Sequence, residues 1–169
     1  MRGSTIPAMV VSLLLVLTGC AASNGSGSDD VTPAASAERA DLAFSGETLD
    51  GATFEGEQLA GKPAVLWFWA PWCPTCRAQA AGVSALAGRY AGEVNVVGVG
   101  GLAGVADIRD FAAKVSGPTH LIDPDGAVWR HFGVTAQSVY VVIDAEGAVV
   151  AEGYLEDEDL ADEVAGLVG

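Results

Sequence analysis

Two cysteines, Cys73 and Cys76, stand three residues apart in the run Trp72-Cys73-Pro74-Thr75-Cys76. A two-residue spacer puts both thiols on one helical turn, close enough to bond to each other. The run follows a continuous apolar stretch, Pro63 to Trp69, and opens a segment of helical spacing. Cys73 therefore falls at the N-cap and Pro74 at the first helical position, where its fixed φ fits and its missing N–H costs nothing. There the Cys73 sulfur faces free backbone N–H groups and the positive end of the helix dipole, worth up to about 2 kcal/mol in favourable geometry. One pKa unit is about 1.4 kcal/mol, so the dipole alone takes a thiol from about 8.5 to near 7. Hydrogen bonds to the thiolate take it lower. Cys76 lies one turn in, more buried, and stays a thiol until it resolves a mixed disulfide. The chemistry this arrangement supports is thiol–disulfide exchange. Half a zinc site or a purely structural bridge would use the same pair. No second CxxC exists, however, and neither His120 nor His131 is near in sequence. Arg77, four residues after Cys73, is either added positive charge on that face or a solvated surface residue.

The elements that must hold this pair alternate in type. Leu42–Ser45 and Ala52–Phe54 flank a turn at Asp50-Gly51 and read as a hairpin. Pro63–Trp69 and Glu93–Val99 are apolar runs suited to strands buried on both faces. Between them, Pro74 to about Ala91 carries Ala80, Val83, Leu86, Ala87 and Tyr90 at helical spacing. Val105–Val115 reads as a second helix, Thr119–Ile122 as a short strand and Ala127–Phe132 as a helical turn. Val139–Ile143 and Ala148–Glu152 flank a turn and make a second hairpin, and Asp159–Val168 closes the chain as a helix. The acidic run Glu156 to Asp159 is expected to solvate and N-cap that helix. Strands alternating with helices, then a hairpin, give an α/β domain with a central mixed sheet, running from Asp41 to Gly169. Trp67, Phe68 and Trp69 read as core, Trp129, His120 and His131 as packing or surface, and Trp72 as a platform beside the thiols.

The 169-residue chain is long enough for one such domain and too short for two ordinary ones. It is 50% hydrophobic, which excludes wholesale disorder, and its net charge of −14 argues against nucleic acid or anionic lipid as an electrostatic partner. Arg2 precedes an apolar stretch, Ile6 to Leu17, too short to span a bilayer but suited to a secretory signal. Leu17-Thr18-Gly19-Cys20 resembles the lipobox of bacterial lipoproteins, which implies cleavage after residue 19 and a lipid on Cys20. An ordinary signal peptide or an uncleaved anchor is the alternative. Residues 20–40, rich in Ser, Ala, Gly and Asp, read as a flexible tether spanning roughly 25 Å on average. The location implied is extracytoplasmic, on the membrane by a lipid anchor.

The stretch Gly61 to Cys76, GKPAVLWFWAPWCPTC, resembles the extracytoplasmic thioredoxin-like proteins of the TlpA/DsbE type, most of all the actinobacterial secreted DsbE/DsbF-like lipoproteins. The resemblance extends over Asp41 to Gly169 and includes the Asp123-Pro124-Asp125-Gly126 turn and His131 to Thr135. It implies a thioredoxin fold preceded by a β-hairpin. It also implies Cys73 as nucleophile, Cys76 as resolving thiol and the Cys73–Cys76 disulfide as the only redox group, with no dissociable cofactor and no metal. Exported Cys-containing proteins would be the clients, and a membrane redox partner would recycle the site. Trp72, Pro74, Thr75, Gln137 and Ser138 would line it. Three positions depart from that family. Gln79 stands where it usually has Glu, Ala81 where it usually has a helix-kinking Pro, and Ser138 where it places a cis-proline. A cis bond before a non-proline costs about 2.5–4 kcal/mol, and tertiary constraint is expected to keep the Gln137–Ser138 bond cis, with a loop relaxed to trans as the alternative. Ser138 adds an N–H and a hydroxyl beside Cys73, both able to donate to a thiolate, while Gln79 removes a carboxylate that would shuttle protons to Cys76. Oxidation of exported proteins is the favoured direction. Reduction of apocytochrome-type CxxCH thiols, or a binding module that holds unfolded clients without turnover, are the competing readings. A peroxiredoxin is disfavoured, because Cys73 follows Ala70-Pro71-Trp72 rather than lying in a Thr-x-x-Cys context.

Overall fold

The computed structural model describes residues 38–169. The signal segment, Cys20 and most of the expected tether lie outside the described residues. Seven strands form one mixed sheet in the order β2-β1-β5-β4-β3-β6-β7. They are β1 (Ser45–Thr48), β2 (Thr53–Glu55), β3 (Ala64–Trp69), β4 (Asn95–Gly100), β5 (Thr119–Ile122), β6 (Val139–Ile143) and β7 (Val149–Gly153). The helices are α1 (Pro74–Arg89), α2 (Val105–Ala112), α3 (Ala127–His131) and α4 (Asp157–Leu167). β3, β4 and β5 run parallel, and β6 lies antiparallel to β3. No described helix is long and apolar enough to cross a membrane.

Strand alternation divides the core in two. Val65, Trp67 and Trp69 on β3 face one side with Tyr140, Val83, Ile108, Leu160 and Val164. Leu66 and Phe68 face the other with Val97, Leu121, Val141, Phe44, Phe54 and Trp129. All six residues of β3 are buried, as its uninterrupted apolar sequence requires of a strand covered on both faces. The glycines of β4 make room for the indole of Trp69. A Cβ on Gly100 would lie 2.6 Å from both Trp69 Cζ2 and Ile108 Cγ2.

Element types follow the sequence, and several edges do not. The first hairpin pairs Ser45 with Glu55 and Glu47 with Thr53, so its strands start later than expected. Its turn fixes this register: Gly51 takes φ 86°, its N–H bonds Thr48 O, and Thr48 then pairs with Ala52. Leu42 and Phe44, read as strand for their apolarity, instead pack ahead of it against the second core. A 3₁₀ turn at Gly56–Leu59 follows β2. The tether was expected to reach Ala40, yet Glu38 O accepts from Val149 N and Ala40 N donates to Gly147 O, which ties these residues to the β6–β7 hairpin. α4 begins at Asp157, two residues early, with Glu156 as its N-cap residue. No side chain of the acidic run makes a cap hydrogen bond. The run therefore stabilises the helix through its charge beside the dipole alone.

Candidate active site

The fold places the cysteine pair where β3 ends and α1 begins. Pro71 turns the chain, and the Arg77 guanidinium donates to Pro71 O from Nε at 3.0 Å and Nη2 at 2.8 Å. Arg77 is a solvent-exposed surface residue that also ties down the approach to Cys73. Cys73 is the N-cap of α1 in extended conformation, and Pro74 occupies the first turn. The Cys76 N–H donates to Cys73 Sγ at 3.2 Å. α1 continues unbroken through Ala81, since no proline interrupts its hydrogen bonds there.

Both cysteines are free thiols, and their environments differ. Cys73 keeps 3% exposure and Cys76 none, so an incoming sulfur reaches Cys73. Burial pushes the Cys73 thiol up. The Cys76 side chain, the Ser138 hydroxyl and the N–H groups of Cys76 and Thr75 outweigh that effect and hold it below the ordinary value of a thiol. Deeper burial, the Cys73 side chain and the Cys73 charge push Cys76 up to about 11. Thiolate is the reactive form. Alkylation of the reduced chain by iodoacetamide is therefore expected to mark Cys73 at lower pH than Cys76, with a rate that rises with pH as thiolate accumulates. Cys76 is expected to stay unmarked until the pH approaches 11. Peptide mass spectrometry of quenched samples reads both sites.

The loop before β6 closes over the pair. Ser138 Oγ lies 3.1 Å from Cys73 Sγ and 3.2 Å from Cys76 Sγ. Its backbone takes φ 70°, and its N–H donates to Phe68 O at 2.9 Å. Proline supplies neither feature, having φ fixed near −65° and no N–H. Gln137, half-buried, leads into this position. Below them Gln79 is buried at 4% exposure. Gln79 Oε1 accepts from Trp67 Nε1 at 2.9 Å, and Nε2 donates to Ser138 O at 3.2 Å. No sequence pattern places Gln79 against Ser138, 59 residues away.

On the open side, Trp72 is half-exposed and its Nε1 donates to Leu102 O at 2.9 Å. Leu102 itself is exposed and holds φ 55°, a strained value for a non-glycine residue. Thr75 is exposed on the first turn of α1. A groove of about 670 Å³ runs from Pro71 and Trp72 past Ala103 and Phe111 to Asp107 and Asp110. Trp129 and His120 are packing residues, as expected: Trp129 Nε1 donates to Val99 O at 3.2 Å, and His120 Nε2 pairs with Val115 O at 2.9 Å.

The Redoxin family matches residues 28–167. The soluble secreted antigen MPT53 of Mycobacterium tuberculosis is 38% identical over 117 residues, covering 69% of this chain and 67% of that protein. A thiol:disulfide interchange protein DsbE homolog of Paracoccus denitrificans is 30% identical over 125 residues, 72% of this chain and 68% of its own. Among solved structures, MTB DsbF in mixed oxidized and reduced forms shares 47% identity at a TM-score of 0.70, covering 75% of this chain and 96% of that one.

Proposed function

We propose, from the premise that this chain belongs to the Redoxin family as a thioredoxin-like thiol–disulfide oxidoreductase of the DsbE/DsbF type, that it oxidises exported proteins outside the cytoplasm. Cys73 is the sulfur that meets the client and Cys76 the resolving sulfur. The observation that carries the direction is the set of donors around Cys73. The Cys76 N–H and the Ser138 hydroxyl both stabilise its thiolate, which favours the reduced pair and makes the disulfide a stronger oxidant. Gln79 acts in the same sense. A neutral amide beneath the sulfurs gives Cys76 no base to deprotonate it, as reduction of a client disulfide would need.

The client lies across exposed Trp72 and Leu102, and Trp72 borders the groove leading to Asp107 and Asp110. Cys20 carries the lipid that holds the domain at the membrane, residues 21–37 serve as the tether, and a membrane redox partner re-oxidises the pair. The disulfide is the whole redox equipment, with no dissociable cofactor. The test is refolding of reduced, denatured ribonuclease in the presence of the oxidised chain. Ribonuclease activity is expected to return faster than in air alone, with one client disulfide formed per chain when no oxidant recycles it. No acceleration by the oxidised chain, together with catalysed insulin reduction by the reduced chain, would replace this reading with a reductase.

A further inference from the structure

Gln79 and Ser138 both depart from the pattern that the sequence resembles, and they touch each other. Trp67 Nε1–H is a donor only, so the Gln79 oxygen must face it. That orientation turns the Gln79 amide N–H₂ toward Ser138 O. A carboxylate at this position would accept from Trp67 equally well but has no proton to give the Ser138 carbonyl. A proline at 138 would offer no hydroxyl, could not bond Phe68 O and could not adopt φ 70°. The two residues make one continuous path: Trp67 Nε1–H to Gln79, Gln79 to Ser138 O, and Ser138 Oγ to both sulfurs.

Resting on the oxidoreductase reading above, we propose that Ser138 is a third catalytic residue whose hydroxyl donates in turn to whichever sulfur carries the charge, and that Gln79 is the positioning residue that holds it there. Near-equal distances to the two sulfurs, 3.1 and 3.2 Å, let one rotating O–H serve both. In the first step a client thiolate attacks Cys73 Sγ. The Cys73–Cys76 bond breaks, a Cys73–client bond forms, and Cys76 leaves with the electron pair and receives the Ser138 hydrogen bond until it takes up a proton. In the second step the other client thiolate attacks the client sulfur. The client disulfide forms, Cys73 leaves as thiolate, and the Ser138 O–H turns to it. The client loses two electrons to the cysteine pair; one of its two protons ends on Cys76 and the other in solvent. The hydroxyl lowers the proton affinity of both sulfurs, in keeping with this double service. Besides each other, the titratable group in the field of the pair is the buried Tyr140 phenol, which itself feels Asp157.

The test is the pH profile of alkylation at Cys73 in the reduced full chain, read by peptide mass spectrometry. Ser138→Gly removes the hydroxyl and accepts the positive φ. It is expected to move the midpoint up by about one pH unit, the weight of one hydrogen bond to a charged group. Gln79→Met is expected to shift it upward too, but to add little in the Ser138→Gly background, because it acts through that hydroxyl. A midpoint unmoved by Ser138→Gly overturns the proposal. A Gln79→Met shift of equal size in both backgrounds overturns the positioning role. If Gln79→Met fails to fold, Ser138→Gly alone still decides the role of the hydroxyl. Alkylation needs no client, so a chain that shows these shifts but transfers no disulfide fails the oxidoreductase reading, not this one.

Discussion

Replacing Cys73 by serine is expected to bring disulfide transfer down to the uncatalysed rate, whereas Cys76→Ser is expected to leave a chain that traps its client. The asymmetry follows from the site. Cys73 alone is open to an incoming sulfur, and of the two thiols it alone has its pKa lowered, by the Cys76 side chain and N–H and the Ser138 hydroxyl against the effect of burial. Serine in its place has no comparable nucleophile and no disulfide to offer. In Cys76→Ser, Cys73 still attacks a client disulfide. No second thiol then expels the client, so a mixed disulfide accumulates and appears as a larger band on a non-reducing gel that disappears with reductant. Transfer that persists in Cys73→Ser would show that the pair is not the reacting centre, whereas no transfer above the uncatalysed rate by the unmutated chain would favour a module that binds clients without turnover.

Phe68→Ala is expected to destabilise the domain by about 3–5 kcal/mol, a large share of the roughly 5–15 kcal/mol that domains possess. Phe68 is fully buried on β3, an interior strand of the sheet. It meets Trp129 edge-on, with ring centroids 5.7 Å apart, and packs on Phe132 at 5.8 Å. Truncation leaves a cavity between a sheet and a short helix that has little freedom to collapse. Urea unfolding should show a lower midpoint. The side chain points away from the cysteines, so the Cys73 alkylation midpoint of the folded variant should be unchanged. A loss below about 1.5 kcal/mol would mean that the second core rearranges freely around the gap.

What could be read from the sequence was local. The N-cap position of Cys73 and the first-turn Pro74 follow from a spacing of three residues and the start of a helical pattern. β3 follows from six apolar residues in a row, and the mixed sheet from the alternation of element types. The first strand of the hairpin starts later than the sequence suggests, because apolarity points to Leu42 and Phe44 while the turn at Gly51 sets the pairing. The positive φ of Leu102 carries no glycine to announce it. The path from Trp67 through Gln79 to Ser138 joins three elements distant in sequence. Each residue alone gives only a weak signal, and Gln79 and Ser138 read as losses until the fold sets them side by side. Arg77 was ambiguous for the same reason: its partner is a backbone carbonyl, which no sequence pattern marks.

The most direct test of an oxidising role is the reduction potential of the Cys73–Cys76 pair in the full chain, equilibrated against glutathione buffers with the oxidised fraction read by thiol trapping. The donors gathered on the Cys73 thiolate predict a value toward the oxidising end, about −120 to −180 mV, in the range of DsbA and disulfide isomerase. A value near or below that of thioredoxin, about −270 mV, would contradict the account and make the chain a reductase fed by a membrane electron carrier.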